Sequence, residues 1–448
     1  MITRAPVRRA LAPLLATLTL VSAGASMALA ATATWTPQTV LSSDFAFAEM
    51  NSNPAVAVNL SGRAVAVWDK PLPSSGFGFG GPTEVTAAVR ATATGTWSTP
   101  VRLSAAAGHG RHAGAVVDAS TGKVTVAMNA DGVPTVSTSS DGGLTWASAP
   151  VPVPAGFAYL NRSNLIDIDS RGNVTLILFK PRATADGYDV AAVTRSSTGT
   201  WRTPVVVNGS TGLTILASPT LEVIADGRAL LSLGTTTFRR SSTGAWSPAK
   251  TVNITGFDLL DRTSTDMDAN GRGYMVLRLI KANAGALYLS TSSQTGDWSL
   301  PRLMTGLETY YDGLQVTASS SGRAMISAAD SSSHVRATVT TDSGTTWSAP
   351  ADFGLGITPA ADGSESGLYA LSWFGAGNAA VTAAGSGSGT APWVTTTIGN
   401  YAVIGTPVVA IAGKSGSSTA RAASAWERSG DPATPAGGVA AASASVAR

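Results

Sequence analysis

The sequence predicts an all-β chain of repeated four-stranded units arranged as the blades of a propeller. Three observations carry this reading. A tryptophan recurs about every 50 residues, a spacing that belongs to propellers or solenoids. A glycine turn recurs within each repeat. The apolar runs between these markers are short, rich in Val, Leu and aromatics, and show no sustained helical period.

Trp97, Trp146, Trp201, Trp246, Trp298 and Trp347 are separated by 49, 55, 45, 52 and 49 positions. Each is followed within four residues by a proline: Pro100, Pro150, Pro204, Pro248, Pro301 and Pro350. In the first unit, Asn53–Asn59, Ala64–Trp68, Glu84–Arg90 and Trp97–Leu103 read as four strands. The turn between the first two has the pattern x-x-G-[RKN], where glycine supplies the positive φ that a tight hairpin needs. It recurs as Gly62-Arg63, Gly122-Lys123, Gly172-Asn173, Gly227-Arg228, Gly271-Arg272 and Gly322-Arg323. A looser form at Gly377-Asn378 and a last one near Lys414-Ser415-Gly416 bring the first hairpins to eight. Four-stranded units in series pack as blades around an axis.

The last unit supplies two strands near 406–426 and a third at Gly438–Val446, but no Trp-Pro strand. Trp35–Leu41 is the missing strand, so the N-terminal segment is expected to pair with the last unit and close the ring, removing an open sheet edge. At 385–405, Trp393 falls out of phase and no proline follows the expected strand. The expectation is eight blades, or seven if that region forms no complete blade boundary.

The chain has 448 residues and no cysteine, which excludes a disulfide framework, a Cys-based metal site and a Cys nucleophile. With 44% hydrophobic residues and 11 tryptophans it can build a core, and 13% charged residues with 48 glycines exclude a long coiled coil. Residues 1–30 read as a secretory signal peptide. Arg4, Arg8 and Arg9 precede the apolar Leu11–Val21, and Ala28-Leu29-Ala30 fits signal peptidase. The Arg8-Arg9 pair weakly resembles a bacterial twin-arginine signal. The remainder, 31–448, is expected to be a single secreted, extracellular, monomeric domain with no membrane anchor. The formal charge of +3 comes from the three leader arginines, which leave 27 basic against 27 acidic residues in 31–448. Nothing in that balance favours nucleic acid as a partner.

Two octapeptides fit S/T-x-D-x-G-x-T-W without a mismatch and in phase with the tryptophan repeat. They are Ser139-Ser140-Asp141-Gly142-Gly143-Leu144-Thr145-Trp146 and Thr340-Thr341-Asp342-Ser343-Gly344-Thr345-Thr346-Trp347. Ser196–Trp201, Ser241–Trp246, Ser293–Trp298 and Thr92–Trp97 keep the Gly–Trp end but lose the Asp. On these motifs residues 31–448 resemble the sialidase-like Asp-box (BNR repeat) β-propellers. The resemblance implies that Ser139, Asp141, Gly143, Thr145, Trp146, Thr340, Asp342, Gly344, Thr346 and Trp347 are structural. It places them in turns between third and fourth strands, opposite the ligand-binding face.

Ligand contacts are expected from the other face, in 42–53, 104–112, 154–164, 208–217, 253–264, 304–314 and 354–366, with 70–83 and 180–188. Arg111, Arg162 and Arg262 fall 11, 10 and 9 residues before their hairpin glycines. Three such guanidinium forks suit a carboxylate, and repeat geometry alone also yields the spacing. Sialidases use an arginine triad with a Tyr–Glu nucleophile pair, and Tyr310 or Tyr311 with Glu49 or Glu308 are the candidates here. The family's Phe/Tyr-Arg-Ile-Pro segment is absent, so its catalytic set does not carry over. His109 and His112 with Tyr159 are further ligand-binding candidates and suit proton abstraction at a uronate. Phe77 and Phe79 are a candidate aromatic platform for sugars. No metal and no cofactor are expected.

The resulting expectation is a ligand-binding protein for an extracellular glycan or peptide. An exo-sialidase-type glycoside hydrolase and a polysaccharide lyase acting on acidic glycans are the alternatives.

Overall fold

A computed structural model describes residues 32–36, 38–45, 54–72, 83–104, 110–159, 165–182, 187–208, 219–307, 310–375, 380–385, 393–397, 407–414, 417–428 and 437–447. The chain is all-β, built from antiparallel four-stranded sheets in which sequence neighbours pair. The first unit contains Ala55–Val58, Ala64–Pro71, Thr83–Arg90 and Val101–Arg102; the second, Arg111–Val117, Val124–Ala130, Val133–Ser139 and Ala147–Pro150. The third contains Ile166–Ile168, Val174–Pro181, Tyr188–Arg195 and Val205–Val206; the fourth, Thr220–Val223, Ala229–Leu233, Thr236–Arg240 and Lys250–Thr251. Leu259–Met267, Gly273–Lys281, Ala284–Ser292 and Arg302–Leu303 make the fifth.

The sixth and seventh units are not separate sheets. Tyr310–Ala318, Ala324–Asp330 and His334–Thr340 run into the 13-residue strand Ala351–Gly363, which also pairs with Tyr369–Gly375. That strand is therefore both the outer strand of the sixth unit and the inner strand of the seventh, which Ala380–Gly385 and Val394–Thr397 complete.

The terminal unit contains Val408–Ala412, Thr419–Arg428 and Gly437–Ala447. Two N-terminal segments, Thr32–Trp35 and Thr39–Phe45, pair with Gly437–Ala447, Thr32 opposite Ala447 and Thr39 opposite Ala441. The expected pairing of the N-terminal segment with the last unit is thus present, as two short strands. Each unit's first strand touches the first strand of the next, and that of the first unit touches that of the terminal unit.

The hairpin glycines adopt left-handed φ values, among them Gly62 at 83°, Gly172 at 78° and Gly271 at 85°. The seventh unit corrects the sequence reading. Its first hairpin turns at Gly367, φ 77°, where the Ser364 N–H donates to the Leu368 carbonyl. Gly377-Asn378 falls between the second and third strands, outside the described residues. Trp393 looked out of phase because its packing partners are Phe353, whose ring centroid is 5.3 Å away, and the sixth and seventh units' apolar side chains.

The core is a series of apolar layers between successive units. Val65, Val67 and Val85 of the first face Val117, Val124 and Met128 of the second. Leu165, Ile177 and Phe179 of the third meet Leu221, Leu231 and Phe238 of the fourth. Burial of side chains of this size contributes about 1.5–3 kcal/mol each, and in these layers it is shared between neighbouring units.

Polar bonds reinforce the same seams at the hairpin-turn end. Arg63 donates to the Gly122 carbonyl at 2.7 Å, and Arg171 to the Asp226 carbonyl at 2.6 Å. Arg228 reaches Ala269 and Asn270, and the Gly322 N–H donates to Asp268 at 2.8 Å. This is the physical use of several of the basic residues beside the turn glycines.

The two octapeptides form matching turns between third and fourth strands. Asp141 Oδ1 accepts from Ser139 Oγ at 2.8 Å and from the Thr145 N–H at 3.0 Å, while the Trp146 indole donates to the Gly143 carbonyl at 3.1 Å. Asp342 accepts from Thr340, from the Thr346 N–H and from Thr346 Oγ1 in the same way. Bonds from the Thr145 and Thr346 hydroxyls hold the two carboxyls down at about 2. In three of the four degenerate repeats an arginine lies over the tryptophan: Arg90, Arg195 and Arg240 lie over Trp97, Trp201 and Trp246 at 5.9, 5.6 and 5.9 Å.

Candidate functional site

The end of each unit opposite the hairpin glycines carries the second-to-third-strand connections and most connections from one unit to the next. At this end the sequence candidates are placed as follows. His109, Arg162, Glu49, Glu308, Phe77 and Phe79 lie outside the described residues. Tyr310 and Tyr311 begin the strand Tyr310–Ala318. Arg111 and Arg262 lie on strands rather than in loops, Arg111 opening Arg111–Val117 and Arg262 within Leu259–Met267 opposite Arg278. They belong to the second and fifth units, and no described hydrogen bond or ion pair joins them. The phenol of Tyr159 is buried, which pushes its ionisation far upward.

The structure does gather Arg111 and His112 around Asp69, 43 positions earlier. Asp69 sits near the loop end of Ala64–Pro71 and is 2% exposed. Its Oδ1 accepts the His112 backbone N–H at 2.9 Å and lies 2.9 Å from His112 Nδ1. Its Oδ2 faces Arg111 Nη1 at 3.6 Å. With Nδ1 as donor to this carboxylate, the ring tautomer leaves Nε2 as an acceptor. One buried acid of the first unit thus fixes both a histidine and an arginine of the second. Beside it Glu84 pairs with Lys70 and Arg102 at 3.8 and 3.5 Å. Asn129 exchanges two bonds with the Tyr159 backbone, at 2.9 and 3.1 Å, tying the second unit to the start of the third.

Along the inner strands lies a second polar group. Asp167, Glu222, Asp266 and Asp362 are the inward carboxyls of the third, fourth, fifth and seventh units. Three of them reach the next unit's inner strand: Asp167 accepts from Val223, Asp266 from Ala318 and Asp362 from Ile411. Burial pushes Asp167 to about 7, Asp266 to about 6 and Asp362 to about 7. Glu222 is raised as well, by burial and then by Asp266, Asp167 and Asp362. Among the described residues no group of three or more His, Asp or Glu has the arrangement of a metal site.

Sequence reading missed Asp69, because the contact that explains it joins two units. It also missed the inner acids, although Asp167-Ile168-Asp169 and Asp266-Met267-Asp268 repeat a D-x-D pattern just ahead of the hairpin glycines. The second aspartate caps the turn and the first points inward.

No protein-family model and no curated protein matches the sequence. Among solved structures, the chain is similar to a protein of unknown function from Dyadobacter fermentans, at 11% identity and TM-score 0.41, over 93% of this chain and 99% of that one. It is similar to the NanB sialidase of Streptococcus pneumoniae at 12% identity and TM-score 0.37, over 91% of this chain and 70% of that one. A polysaccharide lyase, an ulvan lyase, aligns at 10% identity and TM-score 0.42, over 72% of this chain and 90% of that one.

Proposed function

We propose that the chain is a secreted, eight-bladed β-propeller that binds an extracellular glycan or peptide on its loop face. Eight blades are supported by the eight hairpins, by inner strands that touch in succession, and by the N-terminal strands on Gly437–Ala447. Export is supported by the leader-like residues 1–30.

The observation that carries the binding reading is the Asp69–His112–Arg111 cluster. The buried Asp69 carboxylate holds a half-buried arginine and a histidine that is 6% exposed, near the loop end of the seam between the first and second units. The guanidinium has further N–H donors for a carboxylate or hydroxyl, and the imidazole has Nε2. Such charge-assisted contacts are worth about 1.5–3 kcal/mol each, so loss of one weakens binding about 10–100-fold. The test is an array of acidic and neutral glycans and peptides, followed by titration of hits against Arg111→Gln, His112→Gln and the Phe77/Phe79 double alanine variant. Retention that drops in these variants is expected. No retention of the unsubstituted chain anywhere on the array would end the binding reading.

The Asp69–His112 bond also favours a second reading, proton abstraction from a uronate by a lyase. A carboxylate that holds Nδ1 makes Nε2 the base, and an adjacent arginine neutralises the sugar acid. Incubation with acidic polysaccharides would then release unsaturated uronates, absorbing in the ultraviolet, and His112→Gln would abolish the signal. The exo-sialidase alternative has no comparable cluster of described residues behind it. It predicts cleavage of a fluorogenic sialoside that Arg162→Ala abolishes.

A further inference from the structure

Two turns at the hairpin-glycine end carry leucines that turn chemistry does not ask for. Leu60 follows Asn59, whose N–H donates to the Arg63 carbonyl across the first unit's hairpin. The same kind of bond opens the hairpins of units two to six, and there the next residue is Ala119, Ser170, Ala225, Ala269 or Ser320. Leu144 stands in the octapeptide turn where the matching octapeptide has Thr345. Leu60 is 42% exposed and Leu144 78%, so neither serves a core.

The two leucines lie on turns that flank a third, 91–97 of the first unit. A Cβ on Gly62 would press on Ala93, and one on Gly142 would lie 3.4 Å from the Ala91 Cβ. Arg63 Nε ties the same turn down by donating to the Ala91 carbonyl at 3.3 Å. Single exposed leucines are ordinary, but two on adjoining turns, where the counterparts are small or polar, make a patch.

This end is also basic, and unevenly so. In units one to four its turns, 59–63, 90–98, 118–123, 139–147, 169–173, 195–202, 224–228 and 239–247, hold nine basic against four acidic residues. The corresponding turns of units five to seven, 268–272, 292–299, 319–323, 340–348 and 364–368, hold two against four. The third and fourth units contribute most, since their third-to-fourth-strand turns lack the octapeptide's aspartate and carry Arg195, Arg202, Arg239 and Arg240. Arg228 pairs with Asp226 at 2.7 Å. Arg63, Arg171, Arg195 and Arg239 donate instead to carbonyls, which leave the guanidinium charge uncancelled.

We propose that the hairpin-turn end of units one to four is a docking surface for an anionic lipid bilayer, with Leu60 and Leu144 entering its interface and the basic side chains meeting the headgroups. Apolar tips beside a basic surface supply the two signals, hydrophobic and electrostatic, that attachment to such a bilayer draws on. The apolar part is a pair of turn tips rather than a continuous face, which suits insertion between headgroups better than the packed centre of a protein interface. The loop end then points away from the lipid, so this surface stands apart from any ligand bound there.

The chain has no cysteine, so Leu144→Cys offers a single labelling site for a polarity-sensitive dye. Val133→Cys, at an exposed position on the loop end, is the control. Each labelled full-length chain is titrated with phosphatidylcholine vesicles and with vesicles that also contain phosphatidylglycerol. A blue shift is expected at position 144 on the anionic vesicles alone, with the dye at position 133 unchanged. Added Leu60→Ser should weaken that titration about tenfold, and Arg171→Gln or Arg202→Gln about fivefold each. No shift at position 144, an equal shift at position 133, or an equal shift on neutral vesicles overturns the proposal. A shift that grows with protein concentration in the absence of vesicles assigns the patch to a second copy of the chain, and overturns it as well.

Discussion

Arg240→Met removes one guanidinium and keeps the length of the stem. Arg240 is 6% exposed, and it closes the seam between the third and fourth units from inside. Nε and Nη2 donate to the Gly227 carbonyl at 3.1 and 2.9 Å, and Nη1 to Thr175 and Thr194 at 2.6 and 3.0 Å. The group also lies over Trp246, and burial lowers its own pKa. Hydrogen bonds from a charged donor are worth about 1.5–3 kcal/mol each, and unpairing their buried acceptors costs a similar amount. The terms overlap, so the expected loss is about 3–5 kcal/mol rather than their sum. A chain of 448 residues has an unfolding entropy of about 0.9 kcal/mol per kelvin, so the melting temperature should fall by about 3–5 °C. The control is Arg195→Met. Arg195 also stacks on a tryptophan, but its described hydrogen bond is a single one, to Gly199 in its own turn. Its loss should be about 1 kcal/mol. Both are read by calorimetry or circular dichroism at one pH. Equal losses in the two variants would show that the bonds across the seam contribute nothing, and the reasoning would fail.

Three further outcomes follow from the geometry. Asp141 and Asp342 are favoured in ionised form, so their contribution is present above the ordinary value of 3.8 and lost as the pH falls through about 2. Acid unfolding of the Asp141→Asn/Asp342→Asn double variant should therefore show a shallower limb between those values. Gly172→Ala should destabilise more than Gly132→Ala, although their φ values are 78° and 77°. A Cβ at Gly172 would clash with Asp118 Oδ2, whereas one at Gly132 meets nothing within 4 Å. The φ cost is about 1–2 kcal/mol for either, and denaturant melts that place the two variants together would discard the close approach as a cause. Truncation before Thr39 removes the strand Thr32–Trp35 from Gly437–Ala447, and faster amide exchange is then expected at Ala444–Val446.

The repeat was legible because it is written in residues that local chemistry demands. Gly62, Gly122, Gly172, Gly227, Gly271 and Gly322 each occupy a left-handed turn position, and Trp146 and Trp347 each close a turn through the indole. The seventh unit was less legible because its inner strand begins in the previous sheet, which moves its hairpin to Gly367. Of the candidate site, Arg111 and His112 could be named from the sequence but their organiser Asp69 could not, since the bond spans two units. The inner carboxyls were hidden for the same reason. Glu222 lies on a strand, and nothing in its local sequence says that Asp266, Asp167 and Asp362 act on it electrostatically.

The pairing of Thr32–Trp35 with the end of Gly437–Ala447 has a consequence in time. Thr36 and Ser443 bond through both backbone and side chain although they lie 407 positions apart. Thr32–Trp35 therefore has no partner on Gly437–Ala447 until that distant strand has been synthesised. Contacts this distant in sequence slow folding, because the loop must be closed before the pairing rewards it. Until that pairing forms, Thr32–Trp35 and the facing edge of Gly437–Ala447 are both open to other strands.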